Sequence, residues 1–156
     1  MKLNIGLTKK DLEKSIKNLT LLLSNEMVLY VKLRKFHWNV SGNSFMELHK
    51  LFEEQYNDIE NIIDEVAERI GKLGDKTIGT MNEFLKHAIL KESANYETQD
   101  KMLAELLSDH EKVISNLRDM IANMEEDSKD FGTIDFITGI IQSHESKAWV
   151  LRKYLS

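Results

Sequence analysis

Four side chains able to ligate a metal stand within one stretch of twenty residues: His49, Glu53, Asp64 and Glu68. His49 and Glu53 are four residues apart, as are Asp64 and Glu68, so on a helix each pair converges on one spot. Between Glu53 and Asp64 a helix makes three turns plus about 20°, which sets both pairs on one stripe. At about 100° per residue, that stripe lies about 130° around from the centre of the apolar face. The midpoints of the pairs are about 22 Å apart along the axis, whereas ligand bonds are only about 2 Å long. One chain cannot bring both pairs to one metal.

Two chains can. The four positions mirror one another about residues 58 and 59. Two copies of this helix crossing antiparallel at a two-fold axis set His49 opposite the partner's Glu68, and Glu53 opposite the partner's Asp64. An isologous contact repeats every pair, so a dimer would carry two identical sites. His37, at the end of the preceding helix, reaches the vicinity of His49. Two imidazoles with three carboxylates suit iron, manganese or zinc, where thiolates would favour zinc or copper(I) and an all-oxygen cage magnesium or calcium. An incompletely filled iron site leaves positions open for an oxidant. Spacing alone leaves a second reading open, because acids on the polar face of a helix are usually solvated. His87, His110 and His144 are read as packed or surface residues, and Trp38 as a packing residue beside the site.

Long helices must hold these groups. Thr8 with Asp11 resembles a capping box, Asp standing for the usual Glu, and Leu12, Ile16, Leu19, Leu22 or Leu23, Met27, Tyr30 and Leu33 follow at helical spacing to about Trp38. Residues 39–43 read as a turn. Ser44 with Glu47 is a second capping box, opening a helix with Phe45, Leu48, Phe52, Ile59, Ile63, Val66 and Ile70 on one face, stopped by Gly71 and Gly74. Thr80 with Glu83 caps a short helix inside a long connection. A third long helix is expected from about Asn95 to Met124, and a fourth from Ser128–Thr133 to Tyr154. Helices of about 25–30 residues run to about 40 Å, and none can bury its face alone. The expected fold is all-α, a four-helix bundle with an extra helix between the second and third long ones, in a connection long enough to allow the crossover of ferritin-like bundles.

Composition bounds the function. The 156 residues contain no proline and no cysteine, so neither a turn-rich β fold nor a disulfide or thiolate site is expected. One domain over residues 1–156 is expected, with a short tail at residues 1–7. Neither a secretory signal nor a membrane-spanning apolar run is present in the sequence, which points to a cytoplasmic protein. The net charge of -5 opposes a phosphate-binding surface. Positive charge concentrates only at Lys2, Lys9 and Lys10, read as lying on the short tail.

The stretch Phe36-His37-Trp38-Asn39-Val40-Ser41-Gly42, followed by Phe45, Leu48-His49, Phe52-Glu53-Glu54, Tyr56 and Asp64-Glu65-Val66-Ala67-Glu68-Arg69, resembles the Dps family of miniferritins. The match is specific over residues 36–70 and looser through the central helix and Ala148-Trp149. The resemblance implies a ferritin-like subunit assembled from two-fold dimers into a hollow homo-dodecamer. It implies oxidation of Fe(II), with hydrogen peroxide preferred to O2, and storage of Fe(III) inside the shell as protection against oxidative stress. Zinc or manganese are the substitutes the ligands would accept.

The family's two-iron ferroxidase motif falls on His37, His49 and Glu53 of one chain and Asp64 and Glu68 of the other. Position 53 is often Asp in such proteins; Glu lengthens the arm. Resemblance also implies pores lined by acids at the start of the last helix, for which Asp127, Asp130 and Asp135 are candidates. Asp near a helix N-terminus equally complements the helix dipole. Glu54 is among the acids that would face a mineral core. A nucleoid-associated, DNA-protecting role with secondary iron binding is the alternative function; the short tail makes DNA binding weak or absent. A metal-independent helical interaction module is the third reading.

Overall fold

The computed structural model describes residues 3–156; Lys2 lies outside them. Five helices follow in order: α1 (Lys9–Asn39), α2 (Phe45–Lys72), α3 (Met81–His87), α4 (Gln99–Asp127) and α5 (Phe131–Leu155). Among the described residues there is no strand, and no helix is long and apolar enough to cross a membrane.

The caps explain most boundaries. Thr8 and Asp11 form the expected capping box at α1, as do Thr80 and Glu83 at α3, each satisfying amides that the helix itself leaves free. Ser44 does not: its side chain makes no cap hydrogen bond. There the backbone closes the turn instead, with Phe45 N–H donating to the Gly42 carbonyl at 3.2 Å. Gly42 sits at φ +116°, and a side chain there would also strike the Gln99 Oε1. Gly74, at φ +89°, ends α2 in the left-handed region expected after a helix C-terminus.

One boundary moves. α4 begins at Gln99 rather than near Asn95. The carbonyls of Ser93 and Asn95 accept from Lys35 Nζ at 2.5 and 2.9 Å, and that same ammonium lies 4.8 Å from the Tyr96 ring. Bonds from α1 therefore hold this segment outside the helix.

α1 packs chiefly along α2 and α4 along α5, with α3 and its flanking chain carried against α1. The turn at residues 40–44 is short, so α1 and α2 are antiparallel neighbours. Leu22, Leu29, Phe36, Leu48, Phe52, Ile59, Leu106, Leu117, Ile137 and Leu151 are fully buried between the four long helices. Phe36 and Phe52 meet at 6.3 Å between ring centres, just beneath the turn that carries His37 and His49.

Lys9 and Lys10 belong to the first turn of α1 and not to a tail. Lys9 pairs with Glu13 at 3.5 Å and Lys10 with Asp127 at 2.7 Å. Trp38, expected to pack, is 68% exposed on the subunit.

Candidate metal centre

His37 is on the last turn of α1 and His49 on the second turn of α2, so the short turn folds one ring onto the other. The rings stack at 3.8 Å, 17° from parallel. His37 Nδ1 lies 2.7 Å from the backbone oxygen of His49, and His49 Nδ1 lies 2.9 Å from that of His37. A carbonyl only accepts, so each Nδ1 carries a hydrogen, and in the neutral ring the lone pair is then on Nε2. Outer hydrogen bonds of this kind fix the tautomer and ring plane of a metal-binding histidine. The His37 carbonyl is free to accept because it lies in the last turn of α1, beyond the reach of intrahelical donors.

Glu53 is exposed one turn after His49, and its Oε1 is 3.4 Å from the Tyr56 hydroxyl. Tyr56 is nearly buried; its ring stands edge-on to His37 at 5.3 Å and receives the Arg34 guanidinium over its face at 4.1 Å. Burial and then the neighbouring Glu53 carboxylate raise the Tyr56 phenol above its ordinary pKa, so it stays a protonated donor. Arg34 is held in turn by the Tyr30 hydroxyl at 2.8 and 3.0 Å. Phe45 covers the outer side of His49 at 5.2 Å.

Asp64 and Glu68 are exposed at the far end of α2, where Glu68 meets Lys72 at 3.1 Å. Among the described residues of one subunit, no three His, Asp or Glu side chains converge closely enough to hold a metal. The structure thus brings His37, His49 and Glu53 to one end of α2 and leaves Asp64 and Glu68 at the other.

The three acids around the α4–α5 junction differ sharply. Asp130 is buried and caps α5, accepting from the Thr133 amide at 3.0 Å, the Thr133 hydroxyl at 2.6 Å, the Ser15 hydroxyl at 2.7 Å and Arg69 at 3.2 Å. Burial pushes its pKa up, but those hydrogen bonds and Arg69 bring it below the usual carboxylate range. Asp127 is taken by Lys10 and Lys14, whose hydrogen bonds likewise lower it. Asp135 is exposed, one turn into α5. Asp130 is thus spent within the subunit, and Asp135 is the acid of the three that faces outward unpaired among the described contacts.

One constellation escaped the reading from sequence. His110 and His144 are packed, as expected, but they join Glu26 and Gln55 in a continuous polar chain through the middle of the bundle. Each comes from a different helix, so no local spacing links them.

The Ferritin-like domain family model matches residues 16–156. A low temperature-induced protein of Nostoc sp. is 41% identical over 155 residues, covering 99% of this chain and 87% of that protein. DNA protection during starvation protein 2 of Bacillus anthracis is 38% identical over 129 residues, 83% of this chain and 88% of that one. The crystal structure of a Dps protein from Vibrio cholerae, described as a member of a broad superfamily of ferritin-like diiron-carboxylate proteins, superposes with a TM-score of 0.92 at 32% identity, covering 100% of this chain and 98% of that one.

Proposed function

The chain belongs to the Dps family of ferritin-like proteins, and from that membership we propose that it is a ferroxidase that binds Fe(II) between two subunits and stores the Fe(III) product. The observation that carries this is the reciprocal bonding of His37 and His49, which presents two bare Nε2 atoms at one end of α2. The other end of the same helix offers two unburied carboxylates, Asp64 and Glu68. A two-fold contact between α2 helices supplies each imidazole end with a carboxylate end. In this reading His37, His49 and Glu53 are ligands from one subunit, completed by the partner's Asp64 and the partner's Glu68.

The ligands leave iron under-coordinated by protein, so an oxidant has room to approach. Two Fe(II) ions supply one electron each to hydrogen peroxide, whose O–O bond is reduced to two hydroxides with no hydroxyl radical set free. O2 is the alternative oxidant, and zinc or manganese fit the same nitrogen and oxygen donors. Twelve copies, built from such dimers, form a hollow cytoplasmic shell of single-domain subunits in this proposal. Asp135 lines the entry for iron, while Asp127 and Asp130 support the subunit.

Native mass and Fe(II) consumption test the proposal together. The assembly should elute as twelve subunits and consume Fe(II) with peroxide faster than a protein-free control. His49→Ala or Asp64→Ala should remove most of that acceleration; unchanged rates in both variants refute the site. The Bacillus anthracis relative's name suggests DNA protection as a second role. Here Lys9 and Lys10 are committed to Glu13 and Asp127, and the chain carries -5 overall. Plasmid retardation at ordinary salt is therefore not expected.

A further inference from the structure

Glu26 of α1, Gln55 of α2, His110 of α4 and His144 of α5 meet at the centre of the bundle, none of them more than 3% exposed. Three contacts string them together. His144 Nε2 lies 2.9 Å from Glu26 Oε1, His144 Nδ1 lies 2.8 Å from His110 Nδ1, and His110 Nε2 lies 3.4 Å from Gln55 Oε1. Each contact needs one hydrogen between its two atoms. Two neutral imidazoles bring two; a carboxylate and an amide oxygen bring none. With Gln55 presenting its oxygen, the count is one hydrogen short.

We propose that the subunit core holds one additional proton on the His144–Glu26 pair, and that Gln55 is the switch through which it is released. With the proton in place, His144 donates from both ring nitrogens, to Glu26 and to His110, and His110 donates to the Gln55 oxygen. All three contacts are then satisfied and the buried carboxylate is offset by an imidazolium. When the proton leaves, Gln55 rotates its amide end for end. Its Nε2, now buried without a partner, donates to His110 Nε2, and His110 donates from Nδ1 to His144. The three hydrogen bonds survive, but Glu26 is left as a lone charge in a dry core.

The surrounding charges favour the first state. Among the described residues, Glu26 has His144 as its one polar partner, and its Oε2 has none. Lys147 of α5 is engaged by Asp58 of α2 at 3.3 Å and by Ser143 at 2.7 Å. Asp109 of α4 is engaged by Lys32 of α1, which also meets Glu105 at 2.8 Å. None of these cations is bonded to Glu26. Burial, then His144 and Lys147, hold His110 well below the ordinary histidine pKa, which makes His110 the acceptor and leaves the extra proton toward Glu26. Gln55 also lines a groove between α2 and α5 with Glu54, Asp58 and Ser143, which gives the proton a way out.

Two measurements on the metal-free assembly test this. An unfolded Glu and His titrate near about 4.3 and about 6.5, so above that range the unfolded chain holds no such proton while the folded chain holds one. Stability from the pair is therefore complete between about pH 4.3 and 6.5 and declines as pH rises above that window, by up to about tenfold in the unfolding constant per pH unit. Glu26→Gln and His144→Gln should lose this decline between pH 7 and 9; profiles parallel to the wild type overturn the proposal. Unfolding the wild type at pH 8 in weakly buffered indicator dye needs no variant. It should release about one proton per subunit, and no release overturns the proposal.

Discussion

His37 and His49 each donate from Nδ1 to the other's backbone carbonyl, at 2.7 and 2.9 Å, so either ring fixes the tautomer of its neighbour. The arrangement ties the end of α1 to the start of α2 and leaves both Nε2 atoms out of the reciprocal bonds. In the proposed shared site this pair is the half preformed in one subunit, and the carboxylates of Asp64 and Glu68 stand about 22 Å away along the same helix.

That separation gives the first prediction. His49→Ala removes an imidazole from one half-site and Asp64→Ala a carboxylate from the other, so each homogeneous assembly should be nearly inactive in Fe(II) oxidation with peroxide. Subunits of the two variants unfolded together and reassembled should regain activity. At equal mixing, a two-fold pair of unlike subunits carries one site with all its ligands and one lacking both. Fe(II) oxidation at the level of either parent would rule out sharing of the ligands between chains.

Tyr56 makes a second, smaller contribution. Its hydroxyl reaches Glu53 at 3.4 Å and its ring edge abuts His37. Tyr56→Phe keeps the ring and removes the donor, so Fe(II) affinity should fall by about tenfold, the low end for a group that orients a ligand. The fold should be unaffected. Co(II) titration followed by visible absorbance reads the affinity without redox turnover, and an unaltered binding curve would show that Glu53 is positioned without Tyr56.

How far the residues disclosed themselves depended on range. Thr8–Asp11 and Thr80–Glu83 were legible as caps because both partners lie within one turn. Ser44–Glu47 has the same spacing but fails, because the Gly42 turn already satisfies the entry to α2 through its backbone. The start of α4 could not be read, since it is Lys35, some sixty residues earlier, that holds the carbonyls of Ser93 and Asn95. The candidate ligands were legible because four of them share one helix. The Glu26–His144–His110–Gln55 chain was not, because its members come from four helices and have no common period. The aspartates at the α4–α5 junction looked alike, because capping and pore lining ask for the same residue at the same place; burial separates Asp130 from Asp135.

Asp130 accordingly yields a stability prediction. Hydrogen bonds from Thr133 and Ser15, with Arg69, outweigh its burial and hold its carboxyl below the usual range. A lowered carboxyl stabilises the fold above the unfolded value of about 3.9, and that contribution is lost as pH falls through the folded value. Asp130→Asn should cost about 1 kcal/mol or more at pH 7, because an amide nitrogen cannot accept from the Ser15 and Thr133 hydroxyls as a carboxylate oxygen does, and the difference from wild type should narrow as pH falls below about 4. Circular dichroism across an acid titration measures it. A variant as stable as the wild type at pH 7 would mean that Ser15 and Arg69 bond Asn equally well.

Asp135 and Asp127 are a matched pair for the proposed iron entry. Asp127 is neutralised by Lys10 and Lys14, whereas Asp135 is exposed and outside every described ion pair. An unpaired carboxylate raises the local concentration of Fe(II), an effect that salt screens over about 10 Å at 0.1 M. Asp135→Asn should therefore slow iron uptake severalfold at low salt, with the gap from wild type closing as salt is added. Asp127→Asn frees two lysines, so its effect should be on the α1–α4 contact and on thermal midpoint. Stopped-flow uptake at two salt concentrations separates the cases. Equal rates for Asp135→Asn and wild type at low salt would place the entry elsewhere on the shell.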